Sequence, residues 1–455
     1  MPSYDLLIRH GAVAFEDGVR PADLGIAEGR IAAIEPELPG DAREALDATG
    51  LHVFPGVIDA HLHFNDPGRA EWEGFATGTR ALAAGGTTLF YDMPLNAHPP
   101  TVTAAAFDAK LAAAQSSALV DFAFWGGIIP GNLDTLDELA ARGVVGYKAF
   151  MSNSGIEDFP ASDDLTLYEG MARAARLGRI VAVHAESDAL TSCLAARAVA
   201  EGHTTARDYL ASRPVVAELE AISRAILFAQ ETGCPLHIVH VSTGRGVALV
   251  AEARTRGVDV TCETCPHYLV LTGEDVERIG ALAKCAPPLR SQADQDDLWR
   301  RVSSGEVAFI ASDHSPAPPE MKQGGDFFAI WGGISGCQHL LGLVLDAGHF
   351  ERQLPLPQLA TLLAANPARR FAIPRKGRIA PGYDADLALV DLAGTTTITS
   401  DALHYRHRHT PYAGRTLRGR VVRTLVRGQT VYADGQFADA PVGRLVTPTG
   451  SQAMA

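Results

Sequence analysis

Residues 55–64 read PGVIDAHLHF, and this stretch indicates the fold of the central part of the chain. Its apolar, β-branched start predicts a buried strand, and two histidines, His61 and His63, stand at the end of that strand. Because side chains alternate along a strand, both imidazoles are expected on the same face. The stretch therefore predicts a strand that delivers two metal-type ligands to one edge of a sheet.

Seven similar runs follow, and they alternate with alanine- and leucine-rich stretches of helical pattern such as Glu73–Ala84, Leu165–Leu177, Val215–Gln230 and Gly246–Arg256. The eight apolar runs are Val57–Phe64, Thr87–Met93, Asp121–Ile128, Val144–Phe150, Ile180–Glu186, Leu236–Ser242, Asp259–Tyr268 and Val307–Ser315. Such alternation is typical of parallel βα units, and eight of them predict an α/β fold, a (β/α)8 TIM barrel over residues 55–375.

Both ends of the chain show a different texture, with short strands and turns. Tyr4–Phe15 is followed by a strand pair broken at Glu28-Gly29, and the segment from Arg418 to Tyr432 turns at Arg427-Gly428. Neither end can bury a core alone, so residues 1–54 and 376–455 are predicted to form one small β-sandwich domain, with a loose tail from about Thr447.

Composition excludes several classes of protein. The chain has 455 residues, 47% of them hydrophobic, and a net charge of −14, which argues against a nucleic-acid or anionic-membrane partner. No basic-then-apolar leader and no membrane-length apolar run is present. The six cysteines lack a disulfide-framework spacing, so free thiols and a cytoplasmic location are expected. The pair Cys262 and Cys265 is interpreted as structural.

Four more polar residues, Lys148, His184, His240 and Asp313, stand at or near the ends of later runs. A histidine at a strand end is by itself commonly structural, and we interpret His237, His267 and His314 in that way. Convergence of four histidines and an aspartate at one barrel mouth nevertheless predicts a site for zinc or a similar divalent ion. An ammonium at Lys148 would repel such ions, and reaction with CO2 to an anionic carbamate removes the conflict.

These residues resemble the ligand set of the amidohydrolase superfamily, in the cyclic amidohydrolase branch that includes dihydroorotase, hydantoinase, dihydropyrimidinase and allantoinase. The segments PGVID at 55–59 and KGRIAPGYDADL at 376–387 also resemble that superfamily. The resemblance implies two divalent ions per chain, most simply zinc, with cobalt, manganese or iron as alternatives.

The resemblance assigns His61 and His63 to one ion, His184 and His240 to the other, and a bridging N6-carboxylysine at Lys148. Asp313 would bind the first ion and carry the catalytic proton. The resemblance also implies a homotetramer.

The substrate is inferred from the loops. Dihydroorotases usually place an arginine where this chain has Asn65, and hydantoinases and dihydropyrimidinases usually place a tyrosine where it has Asn153. Several segments instead resemble allantoinases, which implies hydrolysis of allantoin to allantoate in purine breakdown. These segments are WEG at 72–74, MPLN at 93–96, AKC at 283–285, SDHSP at 312–316, PEMK at 319–322, AIWGG at 329–333, and YRH to GR between 405 and 415.

A neutral ring rich in donors and acceptors requires polar partners. The candidate contacts are Asn96, Asn153, Ser315 and backbone groups near Cys285 and Gly332. A hydantoinase-like or dihydroorotase-like cyclic amidase remains an alternative. A more distant alternative is a scaffold protein of this fold that has lost its metals.

Overall fold

The computed structural model describes residues 4–449, in which helices and strands alternate through the middle and strands predominate at both ends. The strands are β1 (Tyr4–Phe15), β2 (Gly18–Ala27), β3 (Arg30–Glu35), β4 (Ala42–Asp47), β5 (His52–Pro55), β6 (Val57–Leu62), β7 (Thr87–Asp92), β8 (Asp121–Phe124), β9 (Gly126–Gly127), β10 (Gly146–Phe150), β11 (Ile180–His184), β12 (Leu236–Ile238), β13 (Val260–Thr264), β14 (Phe309–Ile310), β15 (Leu387–Thr397), β16 (Thr416–Val426), β17 (Gln429–Ala433) and β18 (Gln436–Phe437).

The α-helices are α1 (Phe75–Ala84), α2 (Ala104–Ser117), α3 (Leu136–Ala141), α4 (Asp164–Arg176), α5 (Asp188–Ala200), α6 (Ala206–Ser212), α7 (Val215–Thr232), α8 (Gly244–Thr255), α9 (Pro266–Val270), α10 (Gly273–Ile279), α11 (Gln292–Ser303), α12 (Leu340–Val344), α13 (Leu356–Ala360) and α14 (Asn366–Arg370). No helix within residues 4–449 is both long enough and apolar enough to cross a bilayer.

Strands from both ends of the chain share one nine-stranded sheet, in the order β18-β17-β16-β15-β5-β1-β2-β3 with β4 beside β1. The antiparallel pairing of β5 with β15 joins the two ends. Both predicted turns are present: Glu28 and Gly29 have φ of 51° and 74°, and Arg427 and Gly428 have φ of 48° and 73°. Positive φ at both central residues is the conformation that two-residue hairpins favour.

The middle of the chain contains only parallel pairings between its strands, in a three-stranded sheet, β6-β7-β8, and a six-stranded sheet, β14-β13-β12-β11-β10-β9. This pattern, with helices between the strands, confirms the predicted α/β class. The edges of the two sheets are also connected. Val145 N donates to Phe124 O at 2.9 Å, and Leu62 forms a parallel bridge with His314.

Each of the eight predicted runs contains a strand that is shorter than the run, and in two of them the reason is visible. The run Asp259–Tyr268 ends as β13 at Thr264, and Pro266 then begins α9, because proline suits the first turn of a helix and cannot donate in a sheet. In the last run the strand β14 covers two residues, and Asp313 leaves the β region with a φ of 45°.

A buried ionic cluster links the start of β8 to the segment that leads into β15. Lys376 Nζ lies 2.7 Å from Asp121, 2.6 Å from Asp386 and 3.0 Å from Asp384. Arg427 also pairs with Asp121. The two parts of the molecule are therefore connected by charges that neutralise one another.

Lysine is rare in this chain, and no lysine side chain among residues 4–449 is more than partly exposed. The five lysines are Lys110, Lys148, Lys284, Lys322 and Lys376; four are buried and Lys322 is half-buried. The remaining basic residues are arginines. All six cysteines are free thiols, as predicted.

Candidate metal centre and its cavity

The predicted ligands lie at the carboxyl ends of the parallel strands. His61 is in β6, Lys148 is in β10 and His184 ends β11, whereas His240 and Asp313 follow β12 and β14. Because parallel strands present their carboxyl ends at one edge, these side chains converge. The four histidines and Asp313 line one cavity of about 840 Å³.

Backbone conformation helps to aim two of these side chains. His240 and Asp313 have φ of 39° and 45°, in the left-handed region that non-glycine residues rarely occupy. Such conformations cost about 1–3 kcal/mol each and persist where the surrounding structure imposes them. Here Asp313 N donates to His61 O at 2.9 Å, which fixes the aspartate beside β6.

The first group of ligand atoms comprises His61, His63 and Asp313. The Nε2 atoms of His61 and His63 lie 3.3 Å and 3.5 Å from Asp313 Oδ1, and the ligand atoms of the three residues lie within 4.8 Å of one another. Burial alone would raise the pKa of Asp313, but the neighbouring imidazoles, His61 first, hold that pKa well below its usual range. The carboxylate is therefore available as an anionic ligand.

His184 and His240 form the second group, with His184 Nδ1 only 3.1 Å from His240 Nε2. The opposite nitrogen of His184 contacts Glu186 at 2.9 Å, and Glu186 also pairs with Arg213. Two nitrogens bound to one tetrahedral zinc ion lie roughly 3.3 Å apart, since each Zn–N bond is about 2.0–2.1 Å. The observed spacing fits two ligands of a single ion.

Glu263 orients His61, a member of the first group. Its carboxylate contacts His61 Nδ1 at 2.5 Å and His237 Nε2 at 3.0 Å. Burial would raise the pKa of Glu263, but His61 and His237 keep it at about 2. A carboxylate that accepts from Nδ1 leaves Nε2 free to bind a metal, which is the arrangement typical of metal-binding histidines.

Lys148 is fully buried, and its Nζ has no hydrogen-bond partner among the described residues. Burial lowers the pKa of Lys148 to about 7, so a substantial fraction of the amine is neutral near neutral pH. A buried charge without a partner is costly, and a neutral amine is the form that reacts with CO2. Its surroundings therefore suit a carbamate better than an ammonium.

The donor set fits divalent cations. Lys148 Nζ lacks a partner in the part of the chain that the structure describes, and the imidazole nitrogens of each group lie close enough together to bind one ion. Imidazoles and carboxylates at these spacings are the ligands that zinc and similar ions prefer. Cys265 and His267 form a second possible group, which shares Asp313 with the first.

The five residues predicted to contact substrate all line the same cavity: Asn96, Asn153, Cys285, Ser315 and Gly332. Asn96 is buried with an unpartnered Oδ1, and its φ of 70° turns it out of the strand conformation. Ser315 N donates to Ile334 O at 3.0 Å. The cavity therefore offers neutral polar groups opposite the ligand cluster.

Asn65 and Arg69 take no part in lining this cavity. The Asn65 amide donates to Pro316 O at 3.5 Å, whereas Arg69 Nη1 donates to Asn96 O at 3.0 Å and Nη2 pairs with Asp158. Arg69 supports the loop that carries Asn96. The cations that do line the cavity are Arg213 and Lys284.

Sequence reasoning missed the residues that orient the ligands, Glu186 and Glu263, and two lysines beside the cavity, Lys284 and Lys322. Glu186 stands two positions after His184, so strand alternation could have suggested a shared face. Burial lowers the pKa of Lys322 to about 7 and that of Lys284 to about 8.

Comparison with known proteins adds independent information. A sequence model of the Amidohydrolase family matches residues 52–431. The chain is 62% identical to an allantoinase of Rubrobacter xylanophilus and 55% identical to one of Deinococcus radiodurans, in each case over 98% of this chain and at least 98% of the relative. An allantoinase of Escherichia coli is 43% identical over 98% of this chain and 99% of its own length.

Solved structures are similar along the whole chain. An L-hydantoinase (dihydropyrimidinase) from Arthrobacter aurescens has a TM-score of 0.95 and 35% identity, covering 98% of this chain and 100% of that one. A D-hydantoinase (dihydropyrimidinase) from Thermus sp. has a TM-score of 0.91 and 28% identity, covering 98% and 99%.

Proposed function

The chain belongs to the amidohydrolase family, and from that premise we propose that it hydrolyses the cyclic amide of allantoin to allantoate, a step of purine breakdown. The observation that carries this proposal is the 62% identity to an allantoinase over nearly the full length of both chains. The cavity supports it, because its predicted contact residues are neutral hydrogen-bonding groups suited to an uncharged polar ring.

The metal-binding residues are proposed as follows. His61, His63 and Asp313 would hold one divalent cation, and His184 and His240 would hold the second. The carbamate of Lys148, formed by loss of an amine proton and addition of CO2, would bridge them. When bound, such ions supply the Lewis acidity that polarises an amide carbonyl and activates water. We propose zinc as the native metal, with cobalt, manganese and iron as the alternatives.

Asp313 is proposed to move the proton. Its Oδ1 lies beside both His61 and His63, which supports a role next to the first proposed cation, where an attacking water would be deprotonated. The water oxygen forms a bond to the ring carbonyl carbon and the ring C–N bond breaks. Asp313 accepts the proton of the water and delivers it to the departing nitrogen, which cannot leave as an anion.

Substrate recognition is proposed for Asn96, Asn153, Ser315 and the backbone near Cys285 and Gly332. Neutral partners favour a neutral ring, whereas dihydroorotate carries a carboxylate that needs a cation. Arg69 is occupied by Asp158 outside the cavity, Arg213 is paired with Glu186, and Lys284 Nζ is bound by the carbonyls of Phe328 and Ile330. The dihydroorotase alternative is therefore disfavoured.

A hydantoinase activity is the second candidate, because the similar solved structures include hydantoinases. The structure has Asn153 at the position where a tyrosine donor was expected for that activity. A metal-free scaffold role is disfavoured by the convergence of the predicted ligands on one cavity.

We further propose the assembly and architecture that the sequence suggested. The two parallel sheets would form one (β/α)8 barrel over residues 55–375, and residues 1–54 and 376–455 would form a β-sandwich domain. The protein would be a cytoplasmic homotetramer.

The test is the ratio of kcat/KM for allantoin, hydantoin, dihydrouracil and dihydroorotate at one metal loading, with metal content measured on the same sample. Two ions per chain and at least about a 10²-fold lead for allantoin are expected, since a site built for several substrate hydrogen bonds penalises analogues that lack them. Faster turnover of hydantoin would favour the second candidate. Full activity in metal-free protein would overturn the proposed metal chemistry.

A further inference from the structure

One strip of backbone, Phe328 to Gly333, runs along the mouth of the cavity and is called the rim segment here. Its residues line the cavity with Asn153, Ser315 and the metal-binding histidines. The segment is neither helix nor strand, so its peptide groups are not held by regular hydrogen bonding. Its shape must come from individual contacts with neighbouring parts of the chain.

Lys284 binds the rim segment at both of its own ends. Its buried Nζ donates to Phe328 O at 3.2 Å and also to Ile330 O, while its backbone oxygen accepts from Gly333 N at 2.8 Å. The ammonium lies 4.7 Å from the centre of the Tyr209 ring, a distance at which a cation is attracted to an aromatic face. Lys284 therefore connects the cavity wall to the rim.

Lys322 binds the next carbonyls of the same strip. Its Nζ donates to Trp331 O at 3.0 Å and to Gly333 O at 2.5 Å. The adjacent Met321 O accepts from Trp331 N at 3.0 Å. The two lysines together bind four carbonyls of the rim segment.

Neither lysine has a carboxylate within ion-pair distance among residues 4–449. Carbonyl oxygens thus provide their hydrogen-bond acceptors, and both lie beside the cavity although the chain places arginine at its described surface. A compact ammonium can donate to several carbonyls in different directions, which a planar guanidinium cannot do in the same space. The pair is therefore suited to shaping backbone.

Gly332 differs from the other residues of the rim segment, each of which has at least one backbone group in a hydrogen bond. Its amide and carbonyl have no partner in the described part of the chain, and the residue lines the cavity. The following residue is fixed against the opposite wall, since a Cβ on Gly333 would lie 2.3 Å from Ser315 O. The peptide at Gly332 is thus held on both sides while its own polar groups remain available.

We propose that Lys284 and Lys322 are positioning residues that fix the rim segment and so present the Gly332 peptide to the ureido-bearing cyclic amide. This inference rests on the proposed function for the identity of the substrate. The two lysines touch no reacting atom, and their effect is on substrate affinity and selectivity.

The test compares Lys322→Met, Lys322→Arg and Glu320→Gln in the full, metal-loaded protein. Lys322→Met removes the donors, Lys322→Arg keeps charge and donors, and Glu320→Gln changes an exposed neighbour that forms no recorded bond. We expect Lys322→Met to raise KM for allantoin about tenfold with kcat within about twofold, the signature of lost substrate binding. Metal content should not change, Lys322→Arg should recover part of the loss, and Glu320→Gln should match the parent protein.

Hydrogen–deuterium exchange supplies a readout independent of turnover. In Lys322→Met the amides of residues 328–333 should exchange faster, whereas those of β10 and β11 should not. A lower kcat at unchanged KM, or unchanged exchange in the rim segment, would overturn the proposal.

If Lys322→Met does not fold, Lys284→Met provides the same comparison. If the parent protein does not hydrolyse allantoin, the proposed function fails, and exchange together with KM for the cyclic amide it does accept still decides the role of the lysines.

Discussion

Two buried lysines at different places in the molecule have opposite surroundings. Lys376, where the parallel strands meet the terminal sheet, has three carboxylates within 3.0 Å, whereas Lys148 in β10 has no hydrogen-bond partner in residues 4–449. Both side chains are at most 4% exposed. The carboxylates outweigh burial and raise the pKa of Lys376, whereas burial lowers the pKa of Lys148 to about 7.

The different surroundings of the two lysines indicate different roles. The cluster around Lys376 is structural, whereas the cluster around Lys148 is suited to binding a ligand. Charges that neutralise one another, as around Lys376, hold two parts of the chain together. The buried amine of Lys148 has no partner, which is costly unless a further group satisfies it. Substitution of Lys148 should therefore reduce activity, whereas substitution of Lys376 should reduce stability.

The largest effect is expected at Lys148. Lys148→Ala should lose about 10⁴-fold in kcat/KM, equivalent to about 5.5 kcal/mol of transition-state stabilisation, because the proposed bridge between the two metal-binding groups would be lost. Short carboxylic acids should restore part of the activity by occupying the space. Lys148→Met should leave the free energy of unfolding of the metal-free protein unchanged or higher, since a buried unpaired charge is removed. Normal turnover in Lys148→Ala would exclude the bridge.

Lys376→Met should lower the free energy of unfolding and leave kcat/KM nearly unchanged. It leaves the carboxylates of Asp121, Asp384 and Asp386 without their shared cation, and the free energy of unfolding should fall by about 3–5 kcal/mol in denaturant titrations. The kcat/KM of the folded fraction should stay within about twofold of the parent. Arg256→Met, which removes an exposed ion pair, is the control and should change little. A selective loss of activity in Lys376→Met would contradict the division between the two clusters.

The smallest effect is expected at Glu263, which belongs to the metal centre but is already satisfied. Glu263→Gln keeps the shape while removing the charge that orients His61 and His237. Metal affinity or kcat/KM should fall by roughly 10- to 100-fold, as is usual for groups that orient a metal-binding histidine. Metal titration separates this from a folding defect, because the apparent affinity should weaken while the melting curve of the metal-free protein stays in place.

Much of the fold was predictable from local patterns. Alternating apolar runs and helical stretches gave the α/β class, and paired turn residues such as Arg427 and Gly428 gave the terminal hairpins. The boundaries of the last runs were not predictable in this way, because Pro266 and the positive φ of Asp313 interrupt strands that composition alone would extend.

The site was predictable where its residues carry a chemical signature and strand position. The histidines and Asp313 could be grouped because parallel strands end at one edge. Glu263 and the lysines of the rim could not, because their roles depend on contacts across long sequence separations. Glu263 meets His61 across 202 residues, and Lys284 meets Ile330 across 46.

The burial of four lysines and the partial burial of Lys322 also affect how this protein can be handled chemically. Reagents that acylate primary amines, and aldehyde cross-linkers, find no exposed lysine side chain on the described surface. Immobilisation or labelling would have to use other chemistry, such as thiol-reactive reagents directed at the exposed Cys193. Lysine acylation of the folded protein would then report on opening of the interior, with each newly labelled site marking a region that had come apart.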